Sequence, residues 1–272
     1  LPFVIDIDPV AVWLGPLALR WYGITLAVAI GFAYTVATRE AARLRFRSGI
    51  VSDGAIWVGI AALVGGRLLF VAQNGLDDLV THPAHILMVW MGGLSFYGGL
   101  AAGLIALVLF ARRRGVPWRI AADVAAPAAA IGQAIGHLGC LVGGDSAGIA
   151  TDVPWAVVYR NPAAMAPLGV PLHPTQAYEA IALATLFIVL WAVRRRLTLT
   201  PGVLAASYLG GLATIRFLLF FLRDEAPVLL GLKTAQWIGV GILVVAAWIL
   251  VTSVRLARVQ RTPSSLPESS RA

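Results

Sequence analysis

Lysine occurs once in this chain of 272 residues, at Lys233, and cysteine once, at Cys140. Charged residues of both signs make up only 12%, against about 25% in an ordinary soluble domain. The lone cysteine excludes an intramolecular disulfide and leaves the redox compartment unread. The scarcity of charge excludes a soluble globular protein, because 59% hydrophobic residues would leave too little polar surface to face water. Nucleic-acid binding is excluded by distribution, despite a formal net charge of +8. The arginines stand in short clusters between long apolar runs and are not interleaved with stacking aromatics. The first eighteen residues hold Asp6 and Asp8 but no basic residue. No cleavable signal sequence is therefore expected, and the first apolar span is expected to do its own targeting. No internal repeat suggests a transporter built from two related halves.

What is present is a set of apolar runs, each near the roughly 20 residues a helix needs to cross about 30 Å of hydrocarbon. They predict an all-α integral membrane protein with seven transmembrane helices at about 19–38, 54–73, 84–111, 120–142, 176–193, 201–222 and 234–254. A seven-span domain over residues 1–254 is then followed by a basic, Ser/Pro-rich tail, 255–272, disordered from Thr262 to Ala272.

Arginine sets the orientation. One set of connections and the tail hold Arg39, Arg43, Arg45, Arg47, Arg112, Arg113, Arg114, Arg119, Arg194, Arg195, Arg196, Arg255, Arg258, Arg261 and Arg271. The opposite set holds only Arg160, Arg223 and Lys233. This alternation of fifteen against three predicts an external N-terminus and a cytoplasmic C-terminus. The longest connection, about 143–175, then lies outside and is rich in proline (Pro154, Pro162, Pro167, Pro171, Pro174). A loop of that length is expected to be functional.

Three arginines remain within or beside the spans: Arg20, Arg67 and Arg216. Each costs about 2.5–3.5 kcal/mol at the centre of a spanning helix. Arg20, at the outer start of the first span, has snorkelling as an alternative to function. Arg67 and Arg216 lie deep, and few carboxylates share their depth: Asp53 and Asp123 are near cytoplasmic ends and Glu179 is near an outer one. Such arginines suit an anion brought by a ligand, and a phosphate accepts the guanidinium fork well. Gly132, Gly136 and Gly139 have the spacing of close helix packing. Gly143-Gly144-Asp145-Ser146-Ala147-Gly148 cannot easily continue a helix and reads as a turn carrying Asp145 into the outer mouth. His137 and Cys140 share a helix face at metal-ligand spacing, but with no second pair nearby a metal site is not expected. His173-Pro174-Thr175-Gln176-Ala177-Tyr178-Glu179 opens a helix with more polar groups than capping needs.

These motifs resemble the prolipoprotein diacylglyceryl transferase family along nearly the whole chain. The resemblance runs through Gly-Pro-Leu-Ala-Leu-Arg-Trp-Tyr-Gly (15–23), Gly-Gly-Arg (65–67) and Trp-Met-Gly-Gly-Leu-Ser-Phe-Tyr-Gly-Gly (90–99). It continues at Gly-His-Leu-Gly-Cys (136–140), His-Pro-Thr-Gln-Ala-Tyr-Glu (173–179) and Arg216. It implies a bacterial plasma-membrane enzyme that moves a diacylglyceryl group from phosphatidylglycerol to the lipobox cysteine thiol of an exported precursor. It also implies membrane lipid and the prolipoprotein signal-peptide segment as partners, no nucleic acid, and no metal or organic cofactor. Carried onto this sequence, it gives Tyr97, His137, Asp145 and Arg216 as catalytic candidates. Substrate-binding candidates are Tyr22, Arg67, Ser95, Gly98, Gly148, His173, Gln176, Tyr178 and Glu179. The family usually has histidine at the position of Tyr97, arginine and asparagine at those of His137 and Cys140, and Asn-Gly-Glu at 143–145. These departures leave open a member that binds phospholipid or lipoprotein without transfer. A small-solute transporter is a further alternative.

Overall fold

The computed structural model describes residues 2–15, 17–74, 93–197 and 200–261. Seven helices in that set are long and apolar enough to cross a membrane. They are α1 (Trp21–Arg43), α2 (Ile50–Asn74), α3 (Phe96–Arg113), α4 (Trp118–Gly143), α5 (Thr175–Leu197), α6 (Val203–Leu219) and α7 (Thr234–Arg261). A single 3₁₀ turn, Phe220–Leu222, extends α6. The spans thus fall where the apolar runs place them, and the chain is a multi-pass, all-helical membrane protein. The third differs: it begins at Phe96, and the expected part at 84–92 lies outside the described residues, as do Trp90, Met91, Gly92, Arg271 and the Thr262–Ala272 tail.

The chain divides into two compact units. The second, Tyr34–Ala125, contains α2 and α3 together with parts of α1 and α4. In lipid the hydrophobic effect does not press helices together, so their association rests on close packing. The glycines supply it here. A Cβ on Gly65 would meet the Cβ of Ala102 and the Gly98 carbonyl, and one on Gly98 would meet the Gly65 carbonyl and Leu69. The α2 and α3 backbones therefore cross at Gly65 and Gly98 with no room for a side chain at either.

The first unit, residues up to Ala33 and from Ala126 onward, holds the remaining parts of α1 and α4 with α5, α6 and α7. Its most buried helix is α6. Leu204, Tyr208, Leu212 and Arg216 recur every four residues and are all buried, so this spacing carries Arg216 on the packed stripe. Leu186 of α5 lies over Gly211, while Phe217 and the Ala213 carbonyl approach Gly239 of α7. On α4, Gly132 and Gly139 face α1 at Ala29, Ala33, Tyr22 and Thr25, whereas Gly136 faces nothing within 4 Å. Two of the three spaced glycines thus serve packing.

Short strands, which the sequence reading lacks, organise this unit outside its helices. They are β1 (Phe3–Ile5), β2 (Val10–Leu14), β3 (Leu17–Arg20), β4 (Val157–Tyr159) and β5 (Pro171–Leu172). β2 and β3 form an antiparallel hairpin, with an irregularity between Val10 and Val12. β1 runs parallel to β4 in the register Phe3↔Val157, and β4 pairs antiparallel with β5. Val157, Tyr159, Ala166 and Leu172 form a small core, with Ile5 against it. Segments of two to five residues carry no readable period, so pairing and burial alone make them strands.

Candidate functional site

Glu179 is the centre of the first unit's polar site. Thr175, Gln176 and Glu179 are buried together in the first turns of α5. The Glu179 carboxylate accepts a hydrogen bond from Arg216 Nη1 at 2.9 Å on Oε1 and from Arg223 Nη2 at 2.8 Å on Oε2. His137 Nε2, from α4, lies 3.3 Å from Oε1. Both guanidiniums and the carboxylate are buried. Two full positive charges thus share one negative charge. The Phe220 ring lies beside both, 5.3 Å from the Arg216 guanidinium carbon and 4.9 Å from that of Arg223. Lys233 Nζ donates to the Phe220 carbonyl at 2.6 Å and also to the Arg223 carbonyl, fixing the turn that delivers Arg223. Gln236 secures that lysine's backbone: its Oε1 accepts from Lys233 N at 2.9 Å and its Nε2 donates to the Phe217 carbonyl at 3.1 Å. This is half of a capping box, placed at the start of α7.

Of the few carboxylates expected near the depth of the arginines, Glu179 is the partner of Arg216. Glu179 nevertheless serves two guanidiniums at once. Buried His137 Nδ1, Gln176 Oε1 and Arg223 Nε have no hydrogen-bond partner among the described residues. An oxyanion bearing a proton donor would match that mixed set, since Arg223 Nε can only donate.

The glycine-rich turn is held against α5 by two side chains. Thr175 Oγ1 donates to the Ser146 carbonyl at 2.7 Å and Gln176 Nε2 to the Asp145 carbonyl at 2.7 Å. Ser146 adopts a positive φ of 60°, and its hydroxyl donates to the exposed Asp145 carboxylate at 3.2 Å. Gly148 pairs on both sides at once. Its N–H donates to the His173 carbonyl at 3.0 Å, the next N–H donates to the Leu222 carbonyl at 2.8 Å, and Gly148 is bridged to Arg223. A Cβ there would lie 2.7 Å from both His173 Cβ and the Leu222 oxygen. Only glycine lets the turn join the entry of α5 to the segment carrying Arg223.

At the entry of α5, Trp155 Nε1 donates to Tyr178 Oη at 2.6 Å, and His173 Nδ1 lies 3.3 Å from the same oxygen. Buried Tyr159 donates to the Leu141 carbonyl at 2.8 Å. Burial pushes its hydroxyl up to about 12, with the Gln176 side chain pulling the other way, so it is a neutral donor at working pH. Tyr22 is half exposed on α1, with its Cα against Gly139.

Four candidates belong to the second unit. Arg67 Nη1 donates to the Gly93 carbonyl at 3.0 Å, and its guanidinium lies 5.6 Å from the Phe70 ring. Gly93 has φ +77°, and a Cβ on it would strike that ring. Ser95 N donates to the Gly66 carbonyl at 2.9 Å, and the Ser95 carbonyl receives Gly99 N as α3 begins. Tyr97 stacks edge-on to Phe96 at 5.3 Å, and Gly98 packs on Gly65. Arg67 thus fastens the start of α3.

The first unit brings together His137, Asp145, Gly148, His173, Gln176, Tyr178, Glu179 and Arg216. Sequence reasoning missed Arg223 and Lys233, which it counted as loop charges, and Trp155. No periodic signal marks Arg223, because α6 ends at Leu219 and Arg223 follows the 3₁₀ turn in extended backbone. Among the described residues no three His, Cys, Asp or Glu side chains are grouped to hold a metal ion.

Seven helices long and apolar enough to cross a membrane, with a buried carboxylate held by two guanidiniums in the first unit, define a polytopic membrane protein. The sequence profile of the prolipoprotein diacylglyceryl transferase family matches residues 9–252, and the chain belongs to that family. Its relatives include proteins named phosphatidylglycerol–prolipoprotein diacylglyceryl transferase. That of Geobacter sulfurreducens is 37% identical, covering 80% of this chain and 83% of its own length. That of Azotobacter vinelandii is 34% identical over 96% and 97%, and that of Rhizobium leguminosarum bv. trifolii is 32% identical over 96% and 94%.

Proposed function

We infer that this chain is a phosphatidylglycerol–prolipoprotein diacylglyceryl transferase of a bacterial inner membrane, with its N-terminus outside and its arginine-rich ends in the cytoplasm. The observation that carries the reading is the Glu179 cluster: two buried guanidiniums share one carboxylate in a chain matched to that family over most of its length. The cluster joins the C-terminal ends of α4 and α6 to the N-terminal end of α5. In this orientation those are the external ends, where an exported precursor arrives.

The thiol of the precursor cysteine loses its proton, and the sulfur attacks the glycerol carbon that carries the phosphate ester. The carbon–oxygen bond breaks, a thioether forms, and glycerol phosphate leaves with the electron pair. An ordinary thiol has pKa about 8.5, so a base or a positive field must favour the thiolate. Arg216 and Arg223 bind the phosphate as its charge grows, and Glu179 holds both in position. His137, on the same carboxylate, takes the thiol proton or adds to the field. Asp145 orients the peptide at the mouth, while Tyr22, Gly148, His173, Gln176 and Tyr178 shape the entrance. Arg67, Ser95, Tyr97 and Gly98 form a second substrate-binding set, within the second unit. The departure at 137 fits this scheme, since His137 reaches Glu179 and two other cations are already in place.

The test is transfer from phosphatidylglycerol to a lipobox peptide by the purified protein. Transfer is expected to survive Cys140→Ala and to collapse in Arg216→Ala. Phosphatidylglycerol binding without transfer in the unaltered protein would instead identify a lipid-binding member.

A further inference from the structure

The second unit carries a cavity lined by none of the residues placed in the transfer reaction. Its volume is about 550 Å³, and it lies between α2 and α3. Gly65 and Ala102, in close contact, keep its floor low. Trp57, Leu68, Ile105 and Leu109 form its walls and are all at least half exposed, at 56%, 51%, 61% and 50%. Arg113 and Arg114 close one end. The Arg113 guanidinium lies 5.9 Å from the Trp57 ring, and that of Arg114 lies 5.5 Å from Phe110. Arg114 also forms a 2.7 Å ion pair with Asp53, so among the described residues one positive charge at this end is left without a carboxylate.

We propose that this groove is a binding site for an anionic phospholipid of the leaflet on the arginine-rich side, with one acyl chain in the groove and the phosphate between Arg113 and Arg114. Three observations select this occupant. From Trp57 to Leu68 the groove follows α2 for about 16 Å, at 1.5 Å per residue. One leaflet of hydrocarbon is about 15 Å deep, half of the whole core. A tryptophan next to a guanidinium at the helix end has the chemistry of the membrane interface, where the headgroup lies. The excess positive charge favours an anionic headgroup over a zwitterionic one, an electrostatic preference of about fivefold per arginine near an anionic surface. The site is independent of the transfer reaction and rests only on the chain's membrane embedding, so loss of transfer activity does not bear on it.

The experiment places the full-length protein in phosphatidylcholine nanodiscs containing a small fraction of lipid with dibrominated acyl chains, which quench tryptophan on contact. The Trp57 contribution is the difference between the unaltered protein and Trp57→Phe. Brominated phosphatidylglycerol is expected to quench Trp57 at about fivefold lower mole fraction than brominated phosphatidylcholine. Arg113→Gln should abolish the difference, and Asp53→Asn should enlarge it by freeing Arg114. Because Asp53 and Arg113 variants must move the preference in opposite directions, general damage to the fold cannot imitate the result. Equal quenching by both lipids, or a preference that neither variant changes, overturns the proposal.

Discussion

Glu179 and Arg223 are 44 residues apart in the sequence, and their side chains meet at 2.8 Å in a buried hydrogen bond. The same carboxylate holds Arg216 at 2.9 Å through its other oxygen, so removing it strands two guanidiniums. Breaking a buried pair by deleting one partner costs about 3–5 kcal/mol. Glu179→Ala is therefore expected to destabilise more than Arg223→Ala, and the double variant less than the two costs added together. Thermal unfolding in detergent checks the coupling; additive effects would show that the pair is not linked. Transfer activity separates the roles further. Arg223→Ala should lower turnover by about 10²–10³, the range for losing one donor to developing negative charge, and Arg223→Lys should recover part of it.

Gly148→Ala is expected to weaken the protein and abolish transfer. The added methyl would lie 2.7 Å from both His173 Cβ and the Leu222 oxygen, so the segments leading to Glu179 and Arg223 must part. Overpacking of this kind costs about 1–3 kcal/mol. Gly136→Ala is the control, because a Cβ there meets nothing within 4 Å. Comparing their melting temperatures checks this; equal stability of the two variants would refute the tight approach at Gly148.

What the sequence made legible follows from how each feature is encoded. Membrane spans are encoded by composition over twenty residues, which is why six of the seven fall close to their expected positions. Gly143–Gly148 was readable as a turn, and Arg216 as a residue needing a partner, because each breaks a local rule. The partner itself was not readable. Glu179 reaches Arg216 across 37 residues and Arg223 across 44, and no period connects them. Arg223 was concealed by the charge count that oriented the chain, since a basic residue at a span's end looks like a topology signal. The strands β1, β4 and β5 are shorter than one readable alternation. Gly65 and Gly98 looked alike as small residues, and only three dimensions show that each lies against the other's backbone.

The hydrogen bond from Trp155 to Tyr178 gives an optical test of the α5 entrance. Tyr178→Phe removes the acceptor of the indole N–H, which lies 2.6 Å away, and the partner of His173 Nδ1. The expected cost is about 1 kcal/mol, together with a shift in Trp155 emission. The shift is measured as a difference against Trp155→Phe in both backgrounds. Emission unchanged by Tyr178→Phe would show that the indole does not depend on this hydroxyl.

Tyr159 gives a pH signature outside the membrane helices. Burial raises its hydroxyl from 10.0 to about 12, so the folded protein holds this proton more tightly than the unfolded chain does. Stability from this group is complete below the unfolded value near 10 and is lost as the pH rises from there through about 12, because only the unfolded chain ionises in that window. The neutral hydroxyl is also the form that donates to the Leu141 carbonyl at the end of α4. Ultraviolet titration should therefore show Tyr159 ionising later than an ordinary tyrosine, and Tyr159→Phe should reduce the late phase by one tyrosine. The variant should also lose the extra decline in melting temperature between pH 10 and 12. A late phase of unchanged amplitude in Tyr159→Phe would show that Tyr159 does not contribute to it and leave the β4 core without its donor role.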